Sequence, residues 1–108
     1  MMSAEFILSF EDNNWYAAHF DEITQNITRL ETFSELFEGR EFRLAGIEPR
    51  SASDWSYDVR IFLEQKRIFL EISAYPKSIE HEMSVLFEWI SSCIRISIND
   101  EDGEPLNW

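Results

Sequence analysis

Two runs of alternating apolar and polar residues, in the stretch WSYDVRIFLEQKRIFLEISA, constrain the fold more than any other feature of the chain. Successive side chains of a strand point to opposite faces, so residues 55–63 and 67–74 each predict a strand with one apolar face. The intervening EQK is short enough for a tight turn, so we predict a β-hairpin. The apolar face of its first strand comprises Trp55, Tyr57, Val59, Ile61 and Leu63.

The same alternation recurs in three shorter segments, residues 5–10, 41–48 and 94–98. Each predicts a further strand, and in the second of them Phe42 and Leu44 are expected to point inward. Pro49 ends that segment because proline cannot donate to a ladder of backbone hydrogen bonds.

Apolar residues at three- and four-residue spacing predict two amphipathic helices. The first runs from Tyr16 to near Phe33 or Phe37, and Gly39 can adopt the left-handed conformation just beyond its end. The second begins with Ser78 as its cap and extends to about Ser91.

These elements follow the order β-α-β-β-β-α-β. Strands distributed around only two helices predict an α+β fold, a single mainly antiparallel sheet of about five strands with both helices packed on one face. A length of 108 residues suits one domain, so residues 1–108 are expected to share one core.

The chain carries 21 acidic and nine basic residues, a formal net charge of −12. Phosphate backbones and anionic membranes are bound through Lys and Arg, so we expect no direct nucleic acid binding and no membrane association. The same field attracts cationic proteins and can raise their association rate roughly 10- to 1000-fold. A surface that only keeps the protein in solution is the alternative interpretation of the charge.

Cysteine usage and the N-terminal sequence bear on the compartment. Cys93 is the only cysteine, which excludes an intramolecular disulfide and a thiolate zinc cluster, and we predict that it packs in the core. The stretch MMSAEFILSF has no cationic segment and only a short apolar run, so neither a signal peptide nor a membrane span is predicted. The expected location is cytoplasmic.

Motifs for catalysis are weak throughout the sequence. It contains no GxSxG, P-loop or GxGxxG pattern, and His19 and His81 form no metal-binding pair. Asp54 and Asp58 could in principle act as a carboxylate pair, but among 21 acidic residues close neighbours arise by chance. We predict no enzymatic activity, no cofactor and no metal site.

The stretch INDEDGEPLNW concentrates four carboxylates around Gly103. A calcium loop with Gly103 at its sixth position would place Ile98 at the first ligand position, so the pattern does not fit an EF-hand. We predict a turn after the last strand that presents carboxylates, with Asp102 and Gly103 supplying the turn residues.

Three stretches, NNWYAAHFDEITQNITRLETFSELF, YDVRIFLEQKRIFLEIS and DEDGEPLNW, together give the chain a family resemblance. In size, charge and style it resembles, over nearly its whole length, the small immunity proteins of bacterial polymorphic toxin systems, including contact-dependent growth inhibition. The resemblance implies a cytoplasmic antidote that binds a cognate C-terminal toxin domain, often a nuclease, and blocks its active site or an essential surface. Because these families differ in fold, no residue roles are carried over.

From the residues themselves we expect carboxylates and tryptophans at the partner surface, since aromatic anchors ringed by charge are typical of interfaces. The expected partner-binding residues are Asp100, Glu101, Asp102, Glu104, Trp108, Asp54, Trp55 and Asp58. The alternative is an acidic regulatory or adaptor module that binds proteins but has no toxin partner. A small enzyme is a third possibility and would require a concave pocket with convergent polar groups.

Overall fold

A computed structural model of the chain describes residues 4–50 and 56–106. Within these ranges the fold is α+β, with one antiparallel sheet of six strands and three helices. The predicted class and sheet type are confirmed, and the structure has one more strand and one more helix than the sequence predicted. The elements are β1 (Ala4–Phe10), α1 (Asn13–Ala18), α2 (Phe20–Thr28), β2 (Phe33–Phe37), β3 (Glu41–Leu44), β4 (Val59–Leu63), β5 (Arg67–Ile72), α3 (Lys77–Cys93) and β6 (Ile96–Asp100).

The strands lie in the order β2-β3-β4-β5-β1-β6, and each neighbouring pair is antiparallel. β4 and β5 form the predicted hairpin, whose turn is closed by the Glu64 amide donating to the Arg67 carbonyl at 2.9 Å. The first strand of the chain lies between β5 and β6, so residues far apart in sequence meet across its two sides.

One face of the sheet carries the hydrophobic core, as the alternation predicted. Leu8 lies opposite Ile68 and Ile98 in the adjacent strands, and all three are buried. The helices contribute to the same core, so they pack on this face. Their buried apolar side chains are Tyr16, Ile23, Ile27, Ile79, Met83, Leu86, Phe87 and Ile90.

No described helix contributes side chains to the opposite side of the sheet, which we call the open face. The strand registers assign its residues. They are Glu5, Ile7 and Ser9 of β1, Glu35 and Phe37 of β2, Glu41 and Arg43 of β3, Arg60 and Phe62 of β4, Arg67, Phe69 and Glu71 of β5, and Ser97 and Asn99 of β6.

The predicted first helix is wrong beyond residue 28. It is broken into α1 and α2 at His19, and the segment assigned to its last turns is the strand β2. Gly39 is left-handed, as expected, with φ +75°, but it lies in the β2–β3 turn beside Glu38, whose φ is +53°. Two consecutive positive φ values are characteristic of a tight hairpin turn.

The second predicted helix is confirmed as α3, but its start is capped differently from the prediction. Pro76 is the N-cap, and the Ser78 amide and hydroxyl both donate to the Glu48 carboxylate, at 2.9 and 2.5 Å. These bonds, the side-chain bond first, hold the pKa of Glu48 below its usual value. Glu48 therefore joins the segment after β3 to the start of α3.

Two smaller predictions are also wrong. β4 begins at Val59, and Tyr57 lies against arginines of the open face rather than sharing the core face of Val59. Cys93 is the last residue of α3 and is exposed, so it does not pack in the core.

Candidate partner-binding surfaces

The predicted acidic turn after the last strand is present. Oδ1 of Asp100 accepts hydrogen bonds from the amides of Asp102 and Glu104, each at 2.9 Å, and Gly103 has a φ of +82°. The chain then returns along β6, where Pro105 bridges Asn99. The Asp100 carboxylate therefore orders the turn in addition to any role in binding.

The other turn carboxylates, Glu101, Asp102 and Glu104, are exposed. Among the described residues no cation forms an ion pair with any of them. We call these three side chains the turn carboxylates, and no ion pair within the described residues offsets them. Trp108, predicted to accompany them, lies outside the described residues.

The second predicted patch has only one described member, because Asp54 and Trp55 lie outside the described ranges. Asp58 is 6% exposed, accepts from the Gly46 amide at 2.7 Å and forms an ion pair with Arg50 at 2.8 Å. Its carboxylate therefore faces its own chain, and a partner could reach it only by displacing Arg50. A role for Asp58 in binding stays a prediction.

The strand registers relate the two predicted patches. Asp58 precedes β4 at the end of the sheet where Val59 pairs with Ile72, and the acidic turn follows β6 at that same end. β4 and β6 are three strand spacings apart, about 14 Å. The patches therefore lie along one end of the sheet without touching.

Sequence reasoning missed a network on the open face built around Arg43. Its guanidinium lies 4.0 Å from the Phe37 ring centroid and 4.6 Å from that of Tyr57. It also pairs with Glu35 at 2.9 Å and Glu41 at 2.5 Å, and the Glu41 hydrogen bond is the main reason that the pKa of Arg43 is raised.

Arg60, in the adjacent strand, continues this network. It forms an ion pair with Glu71 and a longer one with Glu41, at 3.7 Å, and lies 5.8 Å from the ring centroids of Tyr57 and Phe62. Its Nε is buried without a hydrogen-bond partner among the described residues. We call the five charged residues the arginine network: Glu35, Glu41, Arg43, Arg60 and Glu71.

Beyond the arginine network, the open face carries Glu5, an apolar strip and, at the other end of β5, Arg67, which pairs with Glu64 at 2.6 Å. Glu5 lies directly opposite Glu71, and no described cation pairs with Glu5. Ile7 lies opposite Phe69, whose ring centroid is 5.8 Å from that of Phe62. A like-charged cross-strand pair therefore adjoins a partly exposed apolar strip.

The helix side of the molecule has an open groove of about 590 Å³ between α3 and β6. Glu88 is the only titratable residue among those that line it: Ser84, Phe87, Glu88, Ser91, Ile96, Ser97, Ile98, Pro105 and Leu106. The histidines lie elsewhere, since His19 stacks on Trp15 with centroids 4.3 Å apart and His81 lies on the first part of α3. The described residues include no group of three or more His, Cys, Asp or Glu side chains arranged to hold a metal ion.

Comparisons with protein-family profiles, with curated proteins and with solved structures found no match to this chain. In the described parts of the chain, none of the helices has the length and apolar character needed to cross a membrane.

Proposed function

We propose that this chain is an immunity protein that binds a cognate, cationic bacterial toxin domain in the cytoplasm and occludes its active or substrate-binding surface. The proposal combines the resemblance drawn from the sequence with the way in which the structure distributes charge. A nuclease is the toxin class that best fits, because an enzyme that acts on nucleic acid needs a cationic cleft for phosphate groups.

The observation that carries the proposal is the separation of paired from unpaired charge. Arg43, Arg50, Arg60 and Arg67 each form ion pairs with carboxylates of their own chain. The turn carboxylates form none with described cations. With a net charge of −12, the basic side chains are thus partly neutralised internally while acidic ones face outward.

Such a surface suits an inhibitor that competes with a polyanion. The long-range field steers the two proteins together, and the carboxylates take the positions that phosphates would occupy in the toxin cleft. Charge then sets mainly the association rate and the specificity, whereas partly buried aromatic and apolar residues set the dissociation rate.

The test uses the C-terminal domain encoded by the reading frame immediately upstream, since an immunity gene directly follows its toxin gene. Association with the purified chain would be measured at several salt concentrations. A triple variant, Glu101→Gln, Asp102→Asn and Glu104→Gln, is expected to associate about two- to fivefold more slowly and with a flatter salt dependence. It leaves Asp100, and therefore the turn, intact.

The matched control is a second triple variant, Asp21→Asn, Glu22→Gln and Glu31→Gln, which removes the same charge from exposed positions in and after α2. Equal slowing by both variants would assign the effect to net charge and remove the turn from the binding surface. No binding of the upstream domain by the unaltered chain, and no protection from its toxicity, would contradict the proposed function and favour a regulatory module.

A further inference from the structure

We infer that the toxin docks on the open face of the sheet, with a Lys or Arg side chain of the toxin between Glu5 and Glu71 and an adjacent apolar side chain on Ile7 and Phe69. This inference rests on the proposed function and specifies its binding site. It moves the centre of the interface from the acidic turn, which the sequence favoured, to the middle of the β5–β1 pair.

The first reason is the electrostatic imbalance at Glu5. In the arginine network, three carboxylates share two guanidinium groups, and Glu71 already pairs with Arg60. Glu5 adds another negative charge directly opposite Glu71, and like charges in that arrangement repel. A cation supplied by a partner would remove this repulsion, so the free chain is complementary to a basic side chain at this point.

The second reason is the composition of the neighbouring surface. Arginine, tyrosine and phenylalanine are enriched at protein interfaces, and side chains whose conformations are held before binding lose less entropy there. Arg43 is held between Phe37 and Tyr57, and Phe62 lies beside Phe69. The arginine network therefore provides a pre-ordered surface next to the acidic pair.

The area of the open face determines what else the interface must include. Six strands at about 4.8 Å spacing and about five residues long make a face of roughly 24 by 17 Å, or about 400 Å². Each partner of a stable complex typically buries about 800 Å², so the face must be extended. The turn carboxylates provide the extension, because Asn99 belongs to the open face and the turn begins directly after Asp100.

A second copy of this chain does not fit the same surface. A residue meets its own counterpart only at the axis of a twofold dimer, so a dimer centred on the Glu5 and Glu71 pair would bring the carboxylates of the two copies together. Each copy also carries a net charge of −12. Electrostatic complementarity therefore points to a cationic partner rather than to self-association.

The decisive variant is Glu5→Lys, measured against the C-terminal domain encoded by the upstream reading frame. The new ammonium group faces Glu71, so the cross-strand repulsion becomes an attraction and the melting temperature should stay equal or rise. Binding should nevertheless weaken at least about tenfold, because the site for the partner's cation is then occupied by a like charge. Loss of binding together with retained stability cannot be attributed to unfolding.

The matched control is Glu88→Lys on α3, which changes the net charge equally but lies in the helix-side groove. We expect it to weaken binding no more than about twofold. Ile7→Thr, which keeps a β-branched residue in the strand, should accelerate dissociation about fivefold, whereas Val85→Thr on the exposed side of α3 should not.

Equal losses in Glu5→Lys and Glu88→Lys would overturn the docking site, and a larger loss in Glu88→Lys would assign binding to the groove. In both cases the unaltered chain still binds, so the proposed function would survive. Failure of the unaltered chain to bind the upstream domain would overturn both proposals together.

Discussion

Tyr16 shows how one side chain can join two parts of this fold. The residue is fully buried in α1, and its hydroxyl donates to the carbonyl of Glu64 at 2.6 Å, with the carbonyl of Arg67 at 3.3 Å. The two carbonyls flank the β4–β5 turn, and the Tyr16 ring stacks on Phe10 of β1 with ring centroids 4.4 Å apart. The start of the helical layer is thereby fixed to the end of the central hairpin.

This arrangement predicts a specific alkaline instability. Burial first, and the charge of Glu64 second, raise the pKa of Tyr16 from its ordinary value of 10.0 to about 12. The unfolded chain therefore loses this proton at lower pH than the folded chain, so the stabilisation is complete below pH 10 and is lost as pH rises towards 12. Two pKa units correspond to roughly 2 to 3 kcal/mol.

Tyr16→Phe is the variant that isolates this effect. It should lower the free energy of unfolding by about 1 to 2 kcal/mol at neutral pH, since the Glu64 carbonyl loses its donor whereas the Arg67 carbonyl still accepts from the Glu64 amide. Between about pH 9 and pH 12 its stability should fall by less than that of the unaltered chain. Denaturant melts across this range measure both quantities, and parallel pH profiles for the two proteins would refute the assignment.

At the scale of elements, the sequence predicted the strands more accurately than the first helix. Alternation alone located β1, β3, β4, β5 and β6, because each has one buried and one open face. Phe33 and Phe37 fit a helical spacing as well as a strand, and only pairing with β3 decides between them. Such pairing depends on contacts distant in the chain, which local periodicity does not contain.

The segment that follows β3 meets the start of α3, and this junction depends on the absence of a side chain at Gly46. A Cβ atom there would lie 2.8 Å from Pro76 Cγ and Ser78 Oγ, and 2.9 Å from Glu48 Oε1. Gly46→Ala should therefore destabilise the protein by about 1 to 3 kcal/mol, because the contact between Glu48 and Ser78 must shift.

Gly103→Ala is the matched control for that prediction. Its Cβ would meet nothing within 4 Å, but its φ of +82° disfavours any side chain, so a cost of about 1 kcal/mol is expected. Asparagine tolerates this backbone conformation, so Gly103→Asn should recover stability whereas Gly46→Asn should not. Thermal melts of the four variants distinguish steric from backbone effects, and recovery at both sites would contradict the steric explanation.

At the scale of the whole molecule, the sequence predicted an acidic chain and its acidic turn but not the charged groups that meet on the open face. The acidic turn was visible because its carboxylates are adjacent in sequence. Glu5 and Glu71 are 66 positions apart and meet only through the β1–β5 register. The same is true of the arginine network, whose members come from four strands.

A net charge of −12 on one small fold also predicts how salt affects stability. Exposed carboxylates repel one another over distances comparable with the Debye length, so raising the salt from about 10 mM to about 150 mM should stabilise the fold, by about 1 kcal/mol. The arginine network opposes this trend only weakly, because its ion pairs are largely shielded from solvent and are screened less.

The triple variant of the turn carboxylates has a smaller net charge, so it should be more stable than the unaltered chain at low salt and gain less from added salt. Chemical denaturation with urea, which is uncharged, measures both proteins at each salt concentration. A fall in stability with salt would instead mean that attraction within the ion pairs outweighs repulsion among the surface carboxylates.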